Sequence, residues 1–300
     1  MSISHYIKDI GRGKEGARAL ERDKAADLMG QILDGQVSDL ELGAFCIAMR
    51  IKGETDQEMA GFLDATHARL QCLPVSGPVV VLPSYNGARK LPLLTPLLAH
   101  LLAREGLAVV MHGSATENTR ITSQHVLSAM GVQILAQTRP VQAGELVFTP
   151  TEVLCPGLKR LLDVRRVVGL RNPAHSLVKL MNPTTAADAL LVSSYTHPEY
   201  ALSMAATLEL TGARALLLRG TEGEVVADAR RTPQMDGFVR GIRTPLVEAQ
   251  MGSLLKLPEL PTHIDAVSTA HYTHAVLRGE LPVPAPLAAQ VQAVVKALAS

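Results

Sequence analysis

The sequence predicts an α/β protein in which a small all-helical N-terminal domain precedes a larger domain built on a mostly parallel sheet covered by helices. Three observations carry that prediction. Residues 1–70 hold helix signals and no strand-like run. From Pro78 onward, short apolar runs alternate with amphipathic segments, the pattern of a sheet with helices on both faces. Residues 79–113 read as strand, loop, helix and strand, a βαβ-like unit whose first loop opens outside the carboxyl end of a parallel sheet, where ligands usually bind.

In chain order, a first clear helix runs from about Glu21 to Leu33 and closes at Asp34-Gly35. Ser38 followed by Glu41, and Thr55 followed by Glu58, are capping-box spacings in which a hydroxyl accepts from the third amide while the acid reaches back. They start DLELGAFCIAMRIK, which stops before Gly53, and QEMAGFLDATHARL, which stops before the linker LPVSGP. The helical domain is therefore expected over 1–73, joined by helices near 170–188, with Ala- and Gly-rich apolar faces that suit helix packing or a homodimer contact. The second domain is expected over 78–300. Its strands fall at 79–82, 107–111, 132–135, 146–148, 189–192 and 214–218. Its helices fall at 91–105, 123–130, 156–164, 173–181, 199–211, 264–278 and 285–299, the last after a stiff link at Pro282, Pro284 and Pro286.

Composition narrows the function classes. Lys+Arg number 29 and Asp+Glu 28, a formal charge of +1, so attraction to a polyanion must come from local clustering rather than bulk charge. The odd set Cys46, Cys72 and Cys155 lacks disulfide or zinc spacing and reads as buried reduced thiols. The N-terminus lacks the apolar core of a secretory signal, and the leucine-rich stretch 91–103 is broken by Pro92, Pro96 and His100. A cytoplasmic protein without a membrane segment is expected.

Chemistry concentrates in three places. The loop after the first strand carries Asn86, Gly87, Ala88, Arg89 and Lys90. Glycine allows close backbone approach and the two cations offer charge-assisted bonds to phosphate, although an Asn-Gly pair also suits a solvated turn. His112 and Gly113 follow the next strand and read either as the opposite lip of one cleft or as structural residues. Lys159, Arg160, Arg165, Arg166 and Arg171 form a one-sided basic run interrupted by Asp163, which reads either as a phosphate track or as a solvated face with weak ion pairs. His263, His271 and His274 lack the further ligands a zinc site needs, and Ser193-Ser194 sits in no G-x-S-x-G elbow.

The chain resembles the anthranilate phosphoribosyltransferase family, which shares its fold with pyrimidine nucleoside phosphorylases. The resemblance covers nearly the whole length. It rests on ILDGQVSDLELGAFCIAMRIKGET and EMAGFLDA, on MHG at 111–113, GLRNPAHSLVKLMNP at 169–183, THPEY at 196–200 and TLELTGARALLLRGTEGE from 207. Where the family places a glycine-rich, acidic GTGGD-type loop for phosphoribosyl pyrophosphate, this chain has SYNGARK from Ser84 to Lys90. Where the family places an Asp-Glu pair for magnesium, this chain has Val225 and Val226, which cannot ligate a cation that demands oxygen. The family's Asp after the HG turn falls on His125 and its Lys before that turn on Met111. Thr95, His112, Gly113 and Arg171, the last at the position of the aromatic-acid-binding arginine, survive as a remnant pocket, with Glu222, Glu224 or Asp228 as displaced metal ligands.

PSYNGARK, RGTEGEVVADARR at 219–231 and VLRGELPVP at 276–284 look like the YbiB-type branch of this family. The resemblance implies a homodimer that binds single- and double-stranded nucleic acid with little sequence preference, without magnesium. On that reading Asn86, Gly87, Arg89, Lys90, Lys159, Arg160, Arg165 and Arg166 contact phosphate. With aromatic residues at 3%, stacking contributes little beyond Tyr85. The competing readings are a pentosyl or phosphoribosyl transferase and a small-anion sensor.

Overall fold

The computed structural model describes residues 2–13, 15–117, 119–252 and 257–299. Its helices are α1 (Ser4–Ile10), α2 (Arg22–Leu33), α3 (Asp39–Lys52), α4 (Asp56–His67), α5 (Thr95–Arg104), α6 (Ser123–Ala129), α7 (Thr151–Leu154), α8 (Pro156–Val168), α9 (Ala174–Leu177), α10 (Pro198–Thr211), α11 (Ala266–Leu277) and α12 (Ala285–Ala299). Its strands are β1 (Val79–Ser84), β2 (Ala108–Gly113), β3 (Leu146–Pro150), β4 (Leu190–Tyr195), β5 (Ala215–Arg219), β6 (Met235–Val239) and β7 (Ile242–Val247). The chain divides into two units, Met1–Gln71 with Thr151–Pro183, and Cys72–Pro150 with Thr184–Ser300.

The first unit is helical. Both capping boxes form: the Glu41 amide donates to Ser38 Oγ at 3.3 Å and the Glu58 amide to Thr55 Oγ1 at 3.2 Å, while the acids accept from the Ser38 and Thr55 amides. Glu58 is buried and does more than cap. It pairs with Lys52 Nζ at 2.6 Å and accepts from the Leu20 amide at 2.9 Å, so its charge is compensated inside the unit. The segment 151–183 adds α7, α8 and α9. Gly157 lets α8 start against the end of α2, because a Cβ there would lie 2.0 Å from the Leu33 carbonyl oxygen. The helix expected over 173–181 is α-helical only over Ala174–Leu177.

The second unit is a seven-stranded sheet in the order β3-β2-β1-β4-β5-β6-β7. Pairs among the first five are parallel, and β6 pairs antiparallel with both β5 and β7. The chain goes outward from β1 through β2 to β3 and then returns to place β4 on the other side of β1, so the strand order reverses at β1–β4. That switch point is where open α/β sheets bind ligands. The core over the sheet joins Leu82, Met111, Val192 and Leu218 to Leu97 and Leu98 of α5 and Leu287 and Val294 of α12.

Three further expectations change. Residues 132–135 form one bridge, Ile134 to Phe148, rather than a strand. The helix expected from 91 begins at Thr95, with Pro96 in its first turn where a missing amide costs least. Strands β6 and β7 fall where none was read. The cysteines are free, and burial pushes the Cys46 thiol up to about 11. Among the described residues no helix is long and apolar enough to cross a membrane.

Candidate functional site

The loop leaving β1 reaches the switch point and meets the turn that follows β5. Every amide from Asn86 to Leu91 is taken. The amides of Asn86 and Gly87 both donate to Glu224 Oε1 at 2.8 Å, and Ala88 donates to the Ile121 carbonyl at 2.7 Å. The amides of Arg89, Lys90 and Leu91 donate to the Glu222 carboxylate at 2.9–3.2 Å. Glu224 Oε2 also accepts from the hydroxyls of Ser84 at 2.6 Å and Thr95 at 3.2 Å. Two carboxylates therefore fill a cradle of main-chain donors, an arrangement of the kind that holds phosphate elsewhere.

The local backbone explains how both acids reach it. Glu222 has φ 54° and Gly223 φ 88°, two successive left-handed residues that turn the chain back on itself. Asn86 Nδ2 donates to the Glu222 carbonyl at 3.0 Å, and Ser194 Oγ to that of Gly223 at 3.0 Å, which fix the turn. On the facing loop Gly87 has φ 68°, a conformation that favours glycine. Behind the turn, Gln290 is buried. It accepts from the Ala227 amide and donates to the Val225 carbonyl, both at 2.8 Å.

These positions revise the reading of the acids. Glu222 and Glu224 are ligands of the loop's own amides rather than displaced metal ligands, and Asp228 pairs with Arg230 at 2.7 Å. Val225 and Val226 lie in the core, so the residues at the acid-pair position do not fit a magnesium ion. Among the described residues no three His, Cys, Asp or Glu side chains converge as a metal site.

The remnant-pocket residues of this unit are interior. Thr95 is buried against Glu224. His112 is fully buried, its Nδ1 bonded to Tyr85 Oη at 2.8 Å and its Nε2 without a hydrogen-bond partner among the described residues. Burial pushes its pKa down to about 3, so it is a neutral core residue. Gly113 lets β1 and β2 approach, since a Cβ there would sit 2.1 Å from the Ser84 carbonyl oxygen. Tyr85 is buried edge-on against His112 and offers no face for a base. Arg89 and Lys90 are different: both side chains are exposed, with no ion-pair partner among the described residues.

The basic run on α8, in the first unit, does not act as one group. Lys159 pairs with Asp163, which also holds Arg166 at 3.4 Å. Arg160 donates to the Ile32 and Leu33 carbonyls at 2.9 and 3.4 Å, capping the C-terminus of α2. Arg165 and Arg171 instead gather with Lys179 around buried His175. Burial first, then those three cations, pushes its pKa down to about 4. Lys179 was not singled out by the sequence. It lies past a short apolar helix and far from the α8 run, so spacing gave no signal.

Comparison with known proteins agrees with this fold. The family described as "Glycosyl transferase family, helical bundle domain" matches residues 4–69. The protein called YbiB of Escherichia coli strain K12 is 41% identical over 298 residues, 97% of this chain and 92% of that one. An anthranilate phosphoribosyltransferase of Thermus thermophilus is 30% identical over 209 residues, 67% of this chain and 62% of that one. The crystal structure of an anthranilate phosphoribosyltransferase from Thermus thermophilus superposes with a TM-score of 0.74 and 25% identity, covering 97% of this chain and 87% of that one. The helical bundle, the mostly parallel sheet and these identities together mean that the chain belongs to the anthranilate phosphoribosyltransferase-like glycosyl transferase family.

Proposed function

We propose that this protein binds nucleic acid with little sequence preference, on a transferase scaffold that no longer handles a metal-bound diphosphate. One observation carries the reading: the loop that faces the switch point spends five of its six amides on Glu222 and Glu224, while the side chains of Arg89 and Lys90 are exposed with no ion-pair partner among the described residues. Side-chain cations without amide cradles suit the evenly spaced single charges of a phosphodiester backbone better than a compact diphosphate. Lys159, Arg160 and Arg166 contribute less, since each already serves a carboxylate or a helix end.

Homodimerisation belongs to the same proposal. It is supported by exposed Leu40, Ile47 and Ile51 on α3 and by an apolar groove of about 250 Å³ between α1 and α3, lined by Ile7, Ile10, Ala44 and Ala48. Sedimentation velocity should give a dimer for the native chain and a monomer for Ile47→Asp with Ile51→Asp. A native monomer would remove this part.

The test of binding is titration of a labelled oligonucleotide against native protein and Arg89→Ala/Lys90→Ala. The double variant should bind more weakly by a similar factor on unrelated sequences. The second reading, pentosyl or phosphoribosyl transfer, is favoured by the identity to anthranilate phosphoribosyltransferase. Saturable binding of phosphoribosyl pyrophosphate with magnesium by the native chain would support it instead.

A further inference from the structure

We propose that the loop from Ser84 to Leu91 is a phosphate-binding site held shut in cis, with the Glu222 carboxylate as a tethered competitor for any incoming phosphate group. The proposal rests on the loop's geometry and stands whether or not the protein binds nucleic acid.

The two acids are not equivalent. Glu224 is fully buried and accepts from two amides and two hydroxyls, so it is part of the fold. Glu222 is partly exposed, accepts among the described residues only from the consecutive amides of Arg89, Lys90 and Leu91, and has a left-handed backbone that L residues rarely adopt. Three adjacent main-chain donors, with a guanidinium and an ammonium projecting from the first two of those residues, match the oxygens of one phosphate group. A carboxylate fills the same donors with a smaller charge and no entropic cost of capture, because it is already attached. Only release of the Glu222 carboxylate exposes the site, and a side-chain rotation suffices for it, because the turn is held separately by Asn86 and Ser194. If the shut form holds about 99% of molecules, it lowers the apparent affinity for phosphate about a hundredfold.

The experiment compares native protein with Glu222→Gly, which removes the carboxylate and suits the left-handed backbone. Inorganic phosphate and pyrophosphate are titrated by calorimetry, and amide hydrogen exchange at residues 89–91 is followed by NMR. The variant should bind pyrophosphate at least about tenfold more tightly than the native chain. Its three amides should exchange faster, regain protection on adding pyrophosphate, and lose the gain when Arg89 and Lys90 are also replaced by Ala. A folded Glu222→Gly protein with no gain in phosphate or pyrophosphate affinity would overturn the proposal, as would equal tight binding by the native chain. Should Glu222→Gly fail to fold, Glu222→Gln decides the matter by the same exchange measurement. In Glu222→Gly, preference for a 5′-phosphorylated over a 5′-hydroxyl oligonucleotide would assign the site to nucleic-acid ends, and a gain for pyrophosphate alone to small phosphate compounds. No oligonucleotide binding by the native chain, with the pyrophosphate gain of the variant intact, would sink the nucleic-acid reading and leave this one standing.

Discussion

Tyr85 and His112 share a hydrogen bond of 2.8 Å in the interior, where both rings are buried. Tyr85→Phe removes the partner of the imidazole Nδ1 and should cost about 1–3 kcal/mol, read as a lower urea midpoint with unchanged slope. The same burial sets a pH dependence. His112 is held neutral down to about pH 3, and His100 and His175 to about 4. An unfolded histidine titrates near about 6.5. Below that pH the unfolded chain binds more protons than the native one, so stability is full above about 6.5 and drains as the pH falls toward the native values. His112→Asn, which keeps an acceptor for Tyr85, should be less stable at pH 7.5 yet lose less between pH 6.5 and 4. An unchanged acid slope would show that His112 does not contribute. Of the site residues, Arg89, Lys90 and Gly87 were legible, because turn and charge chemistry are local. The roles of Glu222 and Glu224 were not. Their partners lie 129 to 140 residues upstream, and nothing periodic links Gly87 to Glu224 at a separation of 137.

Helices were legible where their ends carry chemistry. Ser38/Glu41 and Thr55/Glu58 predicted the starts of α3 and α4, and both boxes form as the spacing requires. Thr55→Ala should cost about 1 kcal/mol through the cap alone. Lys52→Met should cost more, about 3–5 kcal/mol, because it strands a buried carboxylate, and thermal unfolding of the two variants should separate them clearly. Strands were legible where both faces are buried. VVVLPS and AVVMHG form β1 and β2, with all twelve residues buried. MDGFV and IRTPLV escaped because Gly237 and Pro245 interrupt them and β7 is largely exposed at the sheet edge. The basic run on α8 illustrates the opposite limit: a helix repeats every 3.6 residues, so neighbours in sequence point apart, and Arg160 turns to α2 while Arg165 turns to His175. Arg160→Ala should therefore lower stability by about 1 kcal/mol while changing oligonucleotide affinity less than twofold. A large loss of affinity at unchanged stability would return Arg160 to the binding surface.

At the scale of the molecule, the fold class was readable from alternating patterns, and the chain's excursion only in its second half: helices near 170–188 were expected beside the helical domain, whereas α7 and α8 were assigned to the sheet domain. Residues 151–183 return to the helical unit between β3 and β4, and no composition shift marks that crossing. The strand order reverses at β1–β4, and the loops after β1 and β5 lie face to face there. With a formal charge of only +1, binding to a polyanion has to be local, so its salt dependence counts the side chains that do the work. The measurement that tests this most directly is the anisotropy of a labelled single-stranded oligonucleotide between about 50 and 200 mM salt, for native protein and Arg89→Ala/Lys90→Ala. The native chain should bind tightly at low salt, and the double variant should reduce the slope of log affinity against log salt by about 1.4, two single-strand contacts. No binding at low salt, or an identical slope in the variant, would contradict the account and turn attention to the transferase reading.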